Sequence, residues 1–426
     1  MNQNQNATIP SWLRLDNAAK IYPAARTRNW MSIYRMSVTL KEDVDAALLQ
    51  QALNQTLKRI PLFAYRLRKG LFWHYFDRQD KGPQVEPDTR NILMPLNLTR
   101  SQDFLFRLRY HKKRISAEIF HAMADGSGAT SFLLTLTAEY LFLRYGKRIP
   151  VTPPILDTRE KPKQAEWEDS FPKYARDVTR PRGEDPAWQL RGTPEAHGQM
   201  RVVTGILPTD RLLSVAREHR TTVTYLLAAL MLQALMNRKK KSSRGRSKPV
   251  KLSLPVNLRK IYPSRTLRNF SFYVNVPVRM DYGEYSLENL IALVSHYMGI
   301  ETMEPMINAR FSANVKAEQN LMMRAAPLFI KTLALKLMFN ATGERYVTCT
   351  MSNLGRIDMP LEMEQHVERV DLVLGRSKKT PLSCGVLSAC GKTMITFSIT
   401  MRQNDVERNF FTSLIKLGVP VLIESY

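Results

Sequence analysis

His121 and Asp125 are the side chains whose types and spacing best suit chemistry, four residues apart in the stretch IFHAMADGSG and followed at once by Gly126. An imidazole can take a proton near neutral pH, and a neighbouring carboxylate and backbone can lock its ring or the loop that carries it. That is what a general base requires. With seven histidines in the chain, a His-x-x-x-Asp arises by chance in roughly one such sequence in four. Requiring the glycine lowers this to on the order of one in a hundred.

The flanking residues indicate how the pair is positioned. Ile115, Ala117 and Ile119 alternate with Ser116, Glu118 and Phe120, the period of two expected of a strand, which puts His121 in line with the apolar face at its end. Asp125 and Ser127 are good helix-opening residues, and Phe132, Leu133, Leu136, Tyr140 and Leu141 follow at helical spacing. The reading is a strand, a tight loop and a helix, with Phe104–Tyr110 pairing upstream as a hairpin.

His121-Ala122-Met123-Ala124-Asp125-Gly126 resembles the HxxxDG motif of the acyltransferase superfamily that includes chloramphenicol acetyltransferase and nonribosomal-peptide condensation domains. Plant acyl-CoA-dependent, mycobacterial polyketide-associated and bacterial alcohol acetyltransferases also belong to it. Two further segments support the likeness. Pro255-Val256-Asn257-Leu258-Arg259, with Asn269-Phe270 beyond it, is similar to a segment whose arginine pairs with the motif aspartate. Ser352-Asn353-Leu354-Gly355 resembles a segment of the alcohol acetyltransferases.

The resemblance implies His121 as catalytic base, Asp125, Gly126 and Arg259 as structural support, and Ser352 and Asn353 as candidate oxyanion donors; the absence of a C-x-x-C pair and of histidines at ligand spacing argues against a metal. The resemblance also implies an α+β fold of two chloramphenicol-acetyltransferase-like halves, related by a pseudo-twofold as a V with a tunnel between them. Residues 1–150 would form the first half, 151–200 a Pro-rich linker or crossover, and 201–426 the second. Residue chemistry leaves alternatives beside these roles. Asp125 would also serve as a helix cap, Arg259 as a surface charge, and Ser352 and Asn353 as turn formers.

The activity so implied is transfer of an acyl group from acyl-CoA to an alcohol, with acyl-CoA or acyl-phosphopantetheine as co-substrate and no permanently bound cofactor. An acyl carrier protein as donor is the alternative within the superfamily. Condensation domains usually place a second histidine before the catalytic one, where this chain has Phe120. The plant family's DFGWG segment is absent. The overall look is nearest to bacterial alcohol acetyltransferases.

The 426 residues suffice for two ordinary cores, and 44% hydrophobic with 24% charged residues is a globular composition. No apolar run reaches membrane-spanning length, and the polar start MNQNQNATIPSW lacks a signal pattern. Three cysteines, Cys349, Cys384 and Cys390, fit reduced thiols in a cytoplasm better than a disulfide framework or zinc site.

The formal charge of +25 suits a polyanion: coenzyme A, an anionic membrane surface touched peripherally, or nucleic acid. Recognition-helix and RNA-binding signatures are missing, which disfavours nucleic acid. A non-catalytic basic protein for nucleic acid or lipid headgroups is the reading outside enzymology. Much of the charge falls in one segment, Arg238-Lys239-Lys240-Lys241 with Arg244, Arg246 and Lys248.

Elsewhere, Ile33–Leu40 reads as a strand, Asp43–Arg59 as an amphipathic helix, and Ser286–Met298 and Asn320–Met338 as helices. Met322, Met323 and Met338 in the last are expected to fill core. Trp167, Phe171, Tyr174 and Trp188 suggest that the Pro-rich stretch docks on a surface. The end of the chain echoes the motif: Met401 stands where His121 does and Asp405 where Asp125 does, as in a duplicated domain with one surviving histidine.

Overall fold

The computed structural model describes residues 9–27, 30–98, 103–180, 183–196, 199–241, 247–339, 343–377 and 379–425. The polar residues 1–8, Arg244, Arg246 and the side chain of Met323 lie outside the described residues.

Two large sheets organise the chain. In the first, five strands run in the order Val367–Val373, Ile33–Leu40, Arg114–Phe120, Phe106–His111 and Glu86–Pro87. All its pairs are antiparallel except the last. The seven-stranded second sheet runs Ser271–Val278, Val250–Asn257, Cys349–Arg356, Leu382–Ala389, Lys392–Ile399, Arg201–Pro208 and Leu422–Ser425. A small third sheet joins Trp12–Arg14, His74–Arg78 and Tyr65–Lys69. Helices cover both large sheets, which is the expected α+β class.

The strand leading to the motif behaves as its alternation predicts, and both of its faces are covered. Ile115, Ala117 and Ile119 join a core that includes Phe63, Phe106 and Phe132, where the rings of Phe63 and Phe132 stack at 3.9 Å. On the opposite face Ser116 and Glu118 are equally buried. Glu118 accepts from Arg35 Nη1 at 3.1 Å and Ser116 bonds Ser37 at 2.9 Å, so the inward polar groups are matched.

Helix Gly126–Tyr145 follows, capped by Asp125 and ended by Gly146 at φ 72°, a left-handed position that suits glycine. Every residue from Gly128 to Leu141 is buried. The polar residues within that buried span are bonded: Thr130 and Thr137 donate to Gly126 O and Leu133 O, and Glu139 accepts from Thr158.

Strand Val367–Val373 comes from the chain's second half yet pairs with Ile33–Leu40 in the first sheet. The expected division at residues 150 and 200 contains no such crossing. The Pro-rich stretch is docked: Trp167, Phe171 and Trp188 are all under 9% exposed. Phe171 packs edge-on to Phe270 and Phe311, in a cluster shared by the Leu258–Phe270 loop and helix Glu304–Gln319.

The expected single helix Asn320–Met338 is instead two, Leu321–Ala325 and Leu328–Met338, broken at Pro327, which lacks the amide proton that a continuing helix needs. Met322 and Met338 are 84% and 51% exposed, so they do not fill core. The C-terminal echo is present in three dimensions: hairpin Leu382–Ala389 and Lys392–Ile399 leads through the buried Met401 into helix Asp405–Lys416.

Candidate active site

His121 sits just past the end of Arg114–Phe120, and its backbone amide donates to Ser32 O at 2.8 Å. The backbone is thereby held to the neighbouring strand's approach, and the ring is held separately. Tyr22, on the short helix Ile21–Ala25, stacks against the imidazole at 4.8 Å between centroids, and Tyr34 meets it edge-on at 5.1 Å. The Tyr34 hydroxyl donates to the carbonyls of Ala124 or Asp125, 3.0 and 3.1 Å away, so it also braces the motif loop. Burial, with Asp125 adding to it, pushes both phenols up and keeps them neutral.

The ring's orientation is set by Asn269, whose Oδ1 is 3.1 Å from His121 Nδ1. The Asn269 amide nitrogen faces two acceptors, Asp16 Oδ2 at 3.3 Å and Ala122 O at 3.5 Å. That network assigns the carbonyl end to the histidine, hence a proton on Nδ1 and a lone pair on Nε2. Asp16 is fully buried and also accepts from Ala19 N at 2.7 Å. Arg268 Nε stands 3.4 Å from Asp16 Oδ2, near enough for an ion pair though poorly aligned for a hydrogen bond. Burial pushes Asp16 up, partly offset by Arg268.

Asp125 points away from the imidazole partner and performs two structural tasks. One oxygen caps the helix, accepting from Ser127 N and Gly128 N at 3.2 Å each. The other accepts from Arg259 Nη1 at 2.7 Å and Phe270 N at 2.9 Å. Cap and cross-chain bridge are therefore both present. No fork-on-fork pair forms between Asp125 and Arg259, because the cap already occupies the first oxygen. Arg259 turns its remaining arms to the carbonyls of Thr266 and Arg268 and so folds its own loop around itself.

Close packing brings the other segments to this point. A Cβ at Gly128 would come within 1.9 Å of Leu267 O, and one at Gly126 within 2.6 Å of Leu354 Cδ2. The Ser352–Gly355 stretch thus lies against the start of the motif helix. Ser352 is a strand residue registered with Gly385. Asn353 gives an amide hydrogen to Thr224 Oγ1 at 2.9 Å and accepts from Gly355 N at 2.8 Å, and Gly355 has φ 78°. In place of a turn, the stretch is a register irregularity between Asn353 and Arg356 within strand Cys349–Arg356.

The spacing in the motif pointed to His121, Asp125 and Gly126, and the family resemblance pointed to Arg259, but neither assigned a task to Asn269, Asp16, Tyr22 or Tyr34. The bond between Asn269 and Asp16 spans 253 positions, beyond the reach of any local pattern. Among the described residues no group of three or more His, Cys, Asp or Glu could hold a metal ion.

No family model matches the sequence, and no curated protein matches it either. Solved structures do. Polyketide synthase associated protein 5 from Mycobacterium tuberculosis aligns over 94% of this chain and 96% of its own, at 16% identity and a TM-score of 0.58. The starter condensation domain of rhizomide synthetase, solved in complex with C8-CoA and Leu-SNAC, aligns over 96% and 94%, at 15% identity and 0.61. Trichothecene 15-O-acetyltransferase from Fusarium sporotrichioides aligns over 95% and 94%, at 12% identity and 0.61. Nearly the whole chain, through both large sheets, thus has the α+β fold shared by these condensation domains and acetyltransferases.

Proposed function

We propose that the protein is an acyltransferase that moves an acyl group from acyl-CoA to an alcohol, with His121 as general base. The observation that carries this reading is the Asn269 carbonyl 3.1 Å from His121 Nδ1, because it leaves Nε2 free to accept a proton. In the reaction, Nε2 takes the hydroxyl proton of the acceptor as its oxygen attacks the thioester carbonyl. A C–O bond forms, the tetrahedral oxyanion collapses, the C–S bond breaks, and the proton passes from Nε2 to the departing thiolate.

Ser352 is the better candidate oxyanion donor, since Asn353 has committed one amide hydrogen to Thr224. The surplus of 63 basic over 38 acidic residues suits a donor carrying phosphates. The three free cysteines accord with work in a reducing cytoplasm. A donor carried on the phosphopantetheine arm of a carrier protein is the second reading, favoured by the likeness to condensation domains.

The test is release of free thiol from a panel of acyl-CoAs with pooled alcohol and amine acceptors, run beside His121→Ala. Acceptor-dependent release by the wild type, lost in a folded variant, is expected. A folded His121→Ala that still turns over removes the histidine from the mechanism. No release from any free thioester, with release from a loaded carrier protein, moves the donor to the second reading.

A further inference from the structure

Two segments far apart in sequence share one face of the molecule. The turn between Tyr65–Lys69 and His74–Arg78 holds Leu71 and Trp73, 75% and 43% exposed. Helix Leu328–Met338 is pinned beside it, with Leu328 N donating to Leu71 O and Lys331 Nζ to Phe72 O, both at 2.9 Å. From that helix Phe329, Leu333 and Leu337 project at four-residue spacing, 73%, 59% and 60% exposed. Met322, just before it, is 84% exposed.

The charge around this apolar ridge is mainly basic. Residues 65–78 contain Arg66, Arg68, Lys69 and Arg78 with one acid, Asp77, which pairs with Arg66 and Arg68, and residues 321–339 contain Arg324, Lys331 and Lys336 with no Asp or Glu. An exposed apolar helix face bordered by cations, with an aromatic beside it, matches a bilayer interface, where hydrocarbon takes the apolar side chains and anionic headgroups the bases. A second copy of this chain would set cations against cations. A small acidic protein would satisfy the charges but leaves no special use for so many protruding apolar tips.

The inner side of helix Leu328–Met338 packs against helix Ile21–Ala25, which carries the Tyr22 ring stacked on His121. A single short helix therefore separates the outward apolar ridge from the imidazole. We propose that this face docks on an anionic lipid bilayer and that the acceptor is a bilayer-resident lipid alcohol. The docking stands on the surface alone, whereas the acceptor class rests on the acyl-transfer reading.

The experiment is flotation of the full-length protein with phosphatidylcholine vesicles and with phosphatidylcholine–phosphatidylglycerol vesicles, at low and raised salt, for wild type, Phe329→Glu with Leu333→Glu, and His121→Ala. Wild type should bind the anionic vesicles about tenfold or more tightly than the neutral ones, and salt should weaken it. The double variant should stay in solution with an unchanged melting temperature, while His121→Ala should float like wild type. Thiol release should be greater with a long-chain alcohol presented in anionic vesicles than with the same alcohol in neutral ones.

No flotation with anionic vesicles at low salt overturns the docking, as does undiminished flotation of the double variant. A wild-type dimer that the double variant converts to monomer, without vesicle binding, assigns the face to a second copy. Capture of an acidic carrier protein in place of vesicles assigns it to that partner. Vesicle binding without thiol release from any donor leaves the docking in place and removes the acyl-transfer reading.

Discussion

With its Nδ1 proton committed to Asn269, His121 has one nitrogen left for substrate, and the variants at position 269 separate orientation from mere packing. Asn269→Ala should lower kcat by about 10- to 100-fold with little change in KM, since the ring is freed to turn. Asn269→Asp would put a carboxylate beside the imidazole, favour its charged form, and move the acid limb of the kcat/KM profile to higher pH. A pH profile that superimposes on wild type would mean that position 269 does not address the histidine. The histidine and aspartate were legible in the sequence because loop chemistry is local: six consecutive residues held both. Asn269 and Asp16 were not, because a tautomer partner needs only proximity in space, and sequence distance carries no trace of that.

Between the motif helix and the Leu258–Phe270 loop, one carboxylate serves as cap, ion-pair partner and acceptor for Phe270 N. Removing the cation should strand it. Arg259→Ala is expected to cost about 3–5 kcal/mol, read as a fall in melting temperature together with activity. Arg259→Lys should not restore either, because an ammonium cannot also reach the Thr266 and Arg268 carbonyls in the geometry of the guanidinium.

The same region titrates. Burial, with Asp16 adding to it and Arg268 opposing, pushes Asp169 up to about 6. A carboxyl whose pKa is higher folded than unfolded favours the fold while protonated, and that contribution is lost as the pH rises through the folded value. Melting temperature should therefore fall between about pH 4 and 7 in wild type, and less steeply in Asp169→Asn. Equal slopes would show that Asp169 ionises without consequence for folding. The strands here were readable from alternation and the helices from caps. The broken helix at Pro327 was misread because its methionines and leucines have a core-like pattern, while their partners lie outside the protein's own fold.

Across the whole molecule the thiols give an independent check on packing. Burial pushes Cys349 up to about 12, Cys384 well above its usual value and Cys390 up to about 11. A maleimide at neutral pH should leave the buried Cys349 and Cys384 of the native protein unmodified, react slowly with the half-buried Cys390 in the hairpin turn, and label all three cysteines after unfolding. Rapid labelling of Cys349 or Cys384 in the native chain would place its strand nearer the surface than described. The two-halved architecture was legible through the motif and its C-terminal echo. The exchange of strand Val367–Val373 was not, since an edge strand has the same local pattern whichever sheet receives it.

That strand has a consequence for the order of events on the ribosome. Ile33–Leu40 emerges early, yet the partner for its outer edge, Val367–Val373, is made only when most of the chain is complete. At about 5–20 residues per second the edge stands open for on the order of tens of seconds, offering unpaired amides and carbonyls to any neighbouring nascent chain. Slower translation through the second half should lengthen that exposure and lower soluble yield, and a gene cut between the halves should yield a first half that aggregates until the second is supplied.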